Sequence, residues 1–421
     1  MFLETKNQNY CAYVVRVSEV HKVDGLDNLV AIKELGFNAL VSKNVQVGDL
    51  MLIFPAETKL HSDFCHNNNL FRDKNLNADQ TKSGFFDNTR VKAIKFKKNI
   101  SNAFATELKS LSYLGIDTDA LKEGDNFNLI NGVEICKKYY PRNQSNNTPK
   151  QPKVKVKKEE RITKDLMPEH VDTAHYLRCD RMINDDTYII VTHKLHGSSA
   201  RFAHQICKRK LSWAEKALKF LGFKIQEFEY DYLAGSRRVI KDASKNQQHY
   251  YKDDVWTKQL KRIQHVIPKG VQIFGEILGW CDESPLQQDY TYNVPFGEID
   301  FYIYRIANVN EDGVVIDWSW DAIKKFCEEK GLKHVPEIYR GPKSDFIVDN
   351  YIDKRYHEMG MTQCVPLSHP ELPDEGVVIR IDNGLVPNFY KVKGPIFYLH
   401  EGIVIDKGGV DIETQESGEV E

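Results

Sequence analysis

Apolar and polar positions alternate along this chain at two periods, and the change of period divides it. Up to residue 136 the apolar runs are short and separated by turn signals. Tyr10–Val17 is one such run. Leu29–Ile32 follows a turn built from Gly25, Asp27 and Asn28, Ala39–Val41 comes next, and Gly48-Asp49 precedes Leu50–Phe54. Arg90–Phe96 alternates strictly, basic on one face and apolar on the other. Short strands at this spacing predict a small barrel or sandwich, and a five-stranded OB-type β-barrel domain over residues 1–136 is the expectation. From residue 161 the pattern mixes. Thr187–Thr192, Val271–Phe274, Asp300–Ile306 and Gly376–Arg380 read as strands, while Trp256–Val266 and Ser319–Lys330 carry helical periodicity, with Gly331 as a stop. The fold class expected is α+β: the OB-type domain followed by an α+β domain on antiparallel sheets over 161–405.

Charge marks the joint. Lys137 to Lys164 holds ten basic residues against Glu159 and Glu160, with Pro141, Pro152 and a polar run from Asn143 to Thr148. Such a stretch cannot bury a core, so 137–160 reads as a basic linker. Asp406–Glu421 carries six acidic residues against Lys407 and reads as an acidic, flexible tail. The whole chain of 421 residues has a net charge of −2, so a polyanion must be met by a local patch. No apolar run approaches the roughly 18–20 residues of a membrane span, and the first residues lack a signal-peptide core. Eight cysteines stand singly, with no C-x-x-C pair. A reducing, cytoplasmic setting without membrane contact is expected.

Chemistry concentrates in five patterns of the second domain: Lys194-Leu195-His196-Gly197-Ser198-Ser199 after a strand, Gly235-Ser236-Arg237-Arg238, Phe274-Gly275-Glu276, Glu375-Gly376-Val377-Val378-Ile379-Arg380, and Tyr390-Lys391-Val392-Lys393-Gly394. A lysine with glycine three residues on lets a phosphate approach the backbone. Carboxylates ending separate strands suit a divalent cation, and converging cations balance a polyphosphate. Each pattern alone is commonplace; K-x-x-G is most often a surface lysine and K-x-K an edge strand. Five in order at strand ends favour lysine attack on a nucleotide α-phosphate.

This set resembles the covalent nucleotidyltransferase superfamily of ATP-dependent ligases and capping enzymes, with K-x-H-G in the RNA ligase form. Gly84-Phe85-Phe86, Arg90–Lys95 and Met167–Thr173 are similar to the Naegleria-type RNA ligase family, which carries an OB domain before its nucleotidyltransferase domain. The resemblance spans nearly the whole chain. It implies an ATP-dependent RNA ligase in which Lys194 takes AMP as a phosphoramidate, passes it to an RNA 5′-phosphate, and a 3′-hydroxyl then seals the bond, at nicks in duplex RNA. It assigns Glu276 and Glu375 to the ribose and to the waters of a catalytic Mg²⁺ or Mn²⁺, and Tyr304 to adenine stacking. Arg237 falls on nucleotide or RNA phosphate, Arg380 on the basic position closing the fourth motif, Lys391 and Lys393 on the α-phosphate, and His196 on AMP transfer and sealing. Gly197 belongs to the nucleotide site. Two positions depart from the pattern: His193 stands where an acidic residue is frequent, and Ser199 where related phage ligases have Asn.

An ordinary lysine with a pKa of about 10.4 is protonated at neutral pH, so the site must make Lys194 nucleophilic by desolvation or neighbouring cations. RNA contact is expected from Arg90, Lys92, Lys95 and Lys97, with Arg237. A monomer is expected. The competing classes are a GTP-dependent capping guanylyltransferase, an ATP-dependent DNA ligase, and a non-catalytic RNA-binding protein on the same scaffold. The first two usually carry their OB domain after the last motif, and only about thirty residues follow Lys391 here.

Overall fold

The computed structural model describes residues 1–97, 99–140, 161–209, 211–241, 254–352 and 372–407. Most of the basic linker and all but the first residues of the acidic tail lie outside these. The chain divides into two compact units. The first comprises Met1–Pro141, Ala174–Asn184 and Lys391–Gly408; the second comprises Arg142–Thr173, Asp185–Tyr390 and Gly409–Glu421.

In the first unit, Ala12–Arg16 pairs antiparallel with Leu50–Pro55, which pairs with Ala103–Glu107. That strand runs parallel to Phe37–Ser42, which pairs with Leu29–Glu34, and this in turn with Val20–Lys22. The run from Ala12 to Lys22 therefore supplies a strand near one end of the order and the strand at its other end. Alternate side chains enter two cores, as period 2 requires. Ala12, Val14, Leu52 and Phe54 pack with Phe64, Leu111 and Phe127. Tyr13, Val15, Met51 and Ile53 pack with Ile32, Phe37 and Val41.

Two expectations change here. The strand expected over Arg90–Phe96 is confined to Ile94–Phe96, all three exposed. Its first residues are taken elsewhere: Lys59 and Arg90 form an isolated bridge, and Val91 N–H donates to the Thr58 carbonyl. Lys137 and Lys138, read as linker, are instead the end of strand Cys136–Lys138, paired with Thr58–Leu60.

The second unit holds the longer strands. Tyr188–Lys194 lies between Gly376–Ile381 and Glu337–Pro342, both antiparallel to it. Ile189, Val191, Val377 and Ile379 are wholly buried, which holds this register. A second sheet runs Ile240–Lys241, Phe228–Gly235, Ser198–Lys208, Val271–Cys281, Ile299–Val309 and Val315–Asp317. Trp320–Lys330 forms the helix the pattern predicts. The Ser319 hydroxyl caps its first turn, accepting from the Ala322 amide, and Gly331 closes it at φ 64°. The mixed, mostly antiparallel α+β class agrees with expectation.

Candidate active site

Lys194 is the last residue of its strand, and the register that places it opposite Gly376 brings the preceding Glu375 beside it. Nζ lies 2.8 Å from Glu375 Oε2; the Glu375 side chain is buried and the Lys194 side chain is about one quarter exposed, at 26%. His196 Nδ1 lies 3.7 Å from the same oxygen. Three residues beyond the strand end, the Gly197 amide donates to Glu276 Oε1 at 3.2 Å. Glu276 reaches it because Ser199 and Glu276 are cross-strand partners. A Cβ at Gly197 would sit 2.4 Å from the Ile277 carbonyl oxygen, so only glycine fits. The lysine turn is thus set between two carboxylates from separate strands.

A segment that sequence reasoning missed holds this turn. Gln287 Nε2 donates to the Gly197 carbonyl at 2.8 Å. The Tyr292 hydroxyl accepts from the His196 amide at 2.8 Å. The Tyr290 ring meets His196 edge-on at 4.9 Å, and its hydroxyl donates to the Pro373 carbonyl, two residues before Glu375. Asp289, Tyr292 and Asn293 all have left-handed backbones, at φ 68°, 52° and 54°. Strain of this kind at non-glycine residues persists where surrounding contacts over-determine it. Burial raises the Tyr292 phenol well above its ordinary range, so it stays protonated. No short motif announces these residues.

His193 was noted only as a departure from a family pattern. Its Nε2 lies 3.2 Å from Asp374 Oδ1, with both side chains buried. Burial holds the imidazole well below its ordinary value, with the nearby Glu375 charge acting the other way, so it is neutral at pH 7.

Tyr304 lies where the ladder between Val271–Cys281 and Ile299–Val309 shifts register, opposite the Phe274/Gly275 step. Such an irregularity re-aims a side chain. Its hydroxyl is 3.3 Å from Ser199 Oγ, and its ring meets His170 edge-on at 5.0 Å. Ser199, Glu276 and Tyr302 are cross-strand neighbours on the half-buried face. Arg237 pairs with Asp172 at 3.0 Å and keeps about a third of its side chain exposed, at 34%. Arg201, absent from the sequence reading, is buried behind it. It donates to the Ser236 and Met167 carbonyls, and burial pulls its pKa down to about 10.

Two arginines need correction. Arg380, expected on the nucleotide, is buried. Its Nε lies 2.6 Å from Asp382, it donates to the Trp318 carbonyl, and its guanidinium sits over Phe389. It pairs with Ile190, four residues back from Lys194, which places it roughly 13 Å along the strand from the nucleophile. Arg90, expected on an RNA surface, is 2% exposed. It is held by Glu57 at 2.7 Å and by Asp406 at 2.8 Å. Lys92 reaches the same Asp406 at 2.9 Å. Lys95 is exposed on its strand, and the exposed Lys97 bonds the Gly25 carbonyl. Lys391 and Lys393 alternate on strand Asn388–Lys393, in residues belonging to the first unit. Lys393 pairs with Glu401 at 3.1 Å, and Lys391 is among the charges that hold the buried His175 neutral, after burial itself and Arg178.

Among the described residues no group of three or more His, Cys, Asp or Glu side chains forms a metal cage. A hydrated Mg²⁺ or Mn²⁺ needs none, because such ions keep several waters and take one or two carboxylates with substrate phosphate. Glu375 at the Lys194 ammonium and Glu276 at the Gly197 amide fit that donor set.

The site lies within the stretch, residues 187–393, that matches the sequence model of the RNA ligase family. No curated protein matches the chain in sequence. Among solved structures the fold is similar to that of Naegleria gruberi RNA ligase. A lysine-to-alanine mutant with ATP and Mn matches at TM-score 0.56 and 14% identity, over 96% of this chain and 99% of that one. A glutamate-to-alanine mutant with ATP and Mn matches at 0.58 and 14%, over 93% and 98%. The same ligase with PPi matches at 0.56 and 15%, over 93% and 98%. The fold is shared with that ligase over nearly the whole chain.

Proposed function

We propose that this protein is an ATP-dependent RNA ligase that joins 3′-hydroxyl and 5′-phosphate ends at nicks in duplex RNA. The observation that carries the reading is the Lys194 ammonium 2.8 Å from Glu375, at a turn whose Gly197 amide is held by Glu276. The ATP, Mn and PPi of the Naegleria complexes support ATP and a divalent cation as the co-substrate and cofactor.

In the first step Lys194 Nζ leaves Glu375 and gives a proton to solvent water. It then forms an N–P bond to the α-phosphorus while the bond to pyrophosphate breaks. An oxygen of the RNA 5′-phosphate next displaces the lysine and takes AMP. The RNA 3′-hydroxyl finally attacks that phosphate and AMP leaves, with His196 serving these last two steps. Mg²⁺ or Mn²⁺ at Glu276 and Glu375, when bound, supplies positive charge to the phosphate oxygens. Tyr304 stacks the adenine, Arg237 meets phosphate, and Lys391 and Lys393 bind the α-phosphate.

The first unit is read as an OB-type RNA-binding domain over 1–136, with Lys92, Lys95 and Lys97 facing the phosphate backbone; its mostly antiparallel sheet of short strands supports it. The linker, the nucleotidyltransferase domain over 161–405, the tail, a monomeric state and a cytoplasmic setting belong to the same reading.

The test is incubation of purified protein with α-labelled ATP or GTP and Mg²⁺ or Mn²⁺, followed by a denaturing gel. Acid-labile label from ATP, absent in Lys194→Ala, and sealing of a nicked RNA duplex are expected. Label from GTP alone would move the protein to capping chemistry. No label from either nucleotide would overturn the reading.

A further inference from the structure

The chain between strands Ser198–Lys208 and Phe228–Gly235 carries a helix, Trp213–Phe220, turned the opposite way from an ordinary surface helix. A capping box at Ser212 and Glu215 starts it. Its polar side is tied down. Glu215 receives Arg209, and Lys219 lies 2.6 Å from Glu227. Its apolar side faces outward. At 100° per residue Trp213, Ala214, Ala217, Leu218, Phe220 and the following Leu221 fall on one arc of about 160°, and all six are exposed. Trp213 is 85% exposed, Phe220 91% and Leu221 69%, and Phe223 continues the patch at 61%. No residue of the helix is buried. Amphipathic helices on soluble domains bury this face, and a contiguous exposed apolar patch marks an interaction surface.

Charge selects the occupant. Residues 208–228 contain six basic side chains (208, 209, 210, 216, 219, 224) and two acidic ones (215, 227), hence +4 in a chain of net −2. Both acids are already paired, while Lys208, Lys216 and Lys224 are exposed. A second copy of the same face would bring like charges together. Single-stranded nucleic acid would need stacking rings, yet alanine and leucine fill the middle of the arc. Trp and Phe beside Leu, flanked by lysines on long flexible stems, match the interface of an anionic bilayer. No helix among the described residues is long and apolar enough to cross a membrane, and a helix lying in the interface needs no such length.

We propose that Trp213–Phe220, with the turn through Phe223, docks on a negatively charged lipid surface. The inference is independent of the ligase chemistry.

Full-length protein is sedimented with sucrose-loaded vesicles of phosphatidylcholine alone or with about 30 mol% phosphatidylserine. The expected result is co-sedimentation with the anionic vesicles only, weakened by salt, and reduced at least roughly tenfold in Trp213→Ser/Phe220→Ser. The melting temperature and far-ultraviolet circular dichroism of that variant should equal wild type, which reports that it is folded. Equal binding by variant and wild type would overturn the proposal, as would absence of wild-type binding. A dimer seen by light scattering that the double substitution makes monomeric would assign the face to a second copy. Loss of nicked-RNA affinity without loss of vesicle binding would assign it to RNA.

Discussion

His193 Nε2 lies 3.2 Å from Asp374 Oδ1, and the next residue on each segment makes the next contact, Lys194 Nζ to Glu375 Oε2 at 2.8 Å. Successive strand residues point to opposite faces, so the two contacts fasten the segments from opposite sides. The buried pair therefore sets where Glu375 stands relative to the nucleophile. His193→Ala should lower the maximal rate of ATP labelling by about tenfold while leaving the KM for ATP within about twofold, since misplacement acts on the reacting geometry. His193→Gln, which restores a donor, should recover most of that rate. A purely structural role would instead lower the melting temperature without the split between rate and KM.

The carboxylates themselves should be more severe. Glu375→Gln and Glu276→Gln are each expected to cut labelling by about 10²–10³-fold, the scale for removing a group aimed at developing charge. Chelation of divalent ions should abolish labelling and leave the melting temperature unchanged, because no cage of protein ligands is present among the described residues. Labelling with Mg²⁺ or Mn²⁺ restored, and calorimetry with and without chelator, check both statements.

Gly197→Ala tests the lysine turn. Its Cβ would lie 2.4 Å from a backbone oxygen and 2.9 Å from Glu276 Cγ. The strand or the carboxylate must shift, at a cost of about 1–3 kcal/mol. Denaturant melts should show that loss together with absent labelling; wild-type labelling would mean that the turn relaxes freely.

Acid should weaken the fold through two histidines. His175 and His193 both have folded pKa values depressed by burial. Below the unfolded value near 6.5 the unfolded chain binds protons that the folded chain does not, so stability is full above that pH and falls as pH drops. Each contributes up to about 1.4 kcal/mol per pH unit. Denaturant midpoints between pH 7.5 and 5.5 should fall in wild type and fall less in His193→Gln.

Arg90→Ala should destabilise the protein by about 3–5 kcal/mol, because it leaves the Glu57 carboxylate buried without its partner. Arg90→Met with Glu57→Leu should recover much of that loss. An RNA-contact role would predict the reverse: normal melting and weakened RNA affinity.

What the sequence made legible was local. Lys194 ends its strand and Glu375 directly precedes one, where apolar runs stop, while Glu276 lies in the middle of Val271–Cys281 and register carries each into place. The Ser319–Gly331 helix was readable from its cap and its stop. Arg90 and Arg380 were misread because a basic residue after an apolar run looks the same whether it meets solvent or a distant aspartate. Gln287, Tyr290 and Tyr292 were invisible because their work depends on a strained backbone that no periodicity encodes. Asp374 escaped because its partner lies 181 positions earlier in the chain, a separation read from the numbering of the pair.

The ion pair between Arg90 and Asp406 spans 316 positions. A ribosome adding about 5–20 residues per second needs roughly 15–60 s to cover that distance. Throughout that interval the nascent first unit holds Arg90 and Glu57 without the final helix, Pro395–Asp406, that belongs to it. The first unit of this chain is thus completed last, by residues made almost at the end of synthesis. A message cut short before that helix would release a chain whose first unit had never closed.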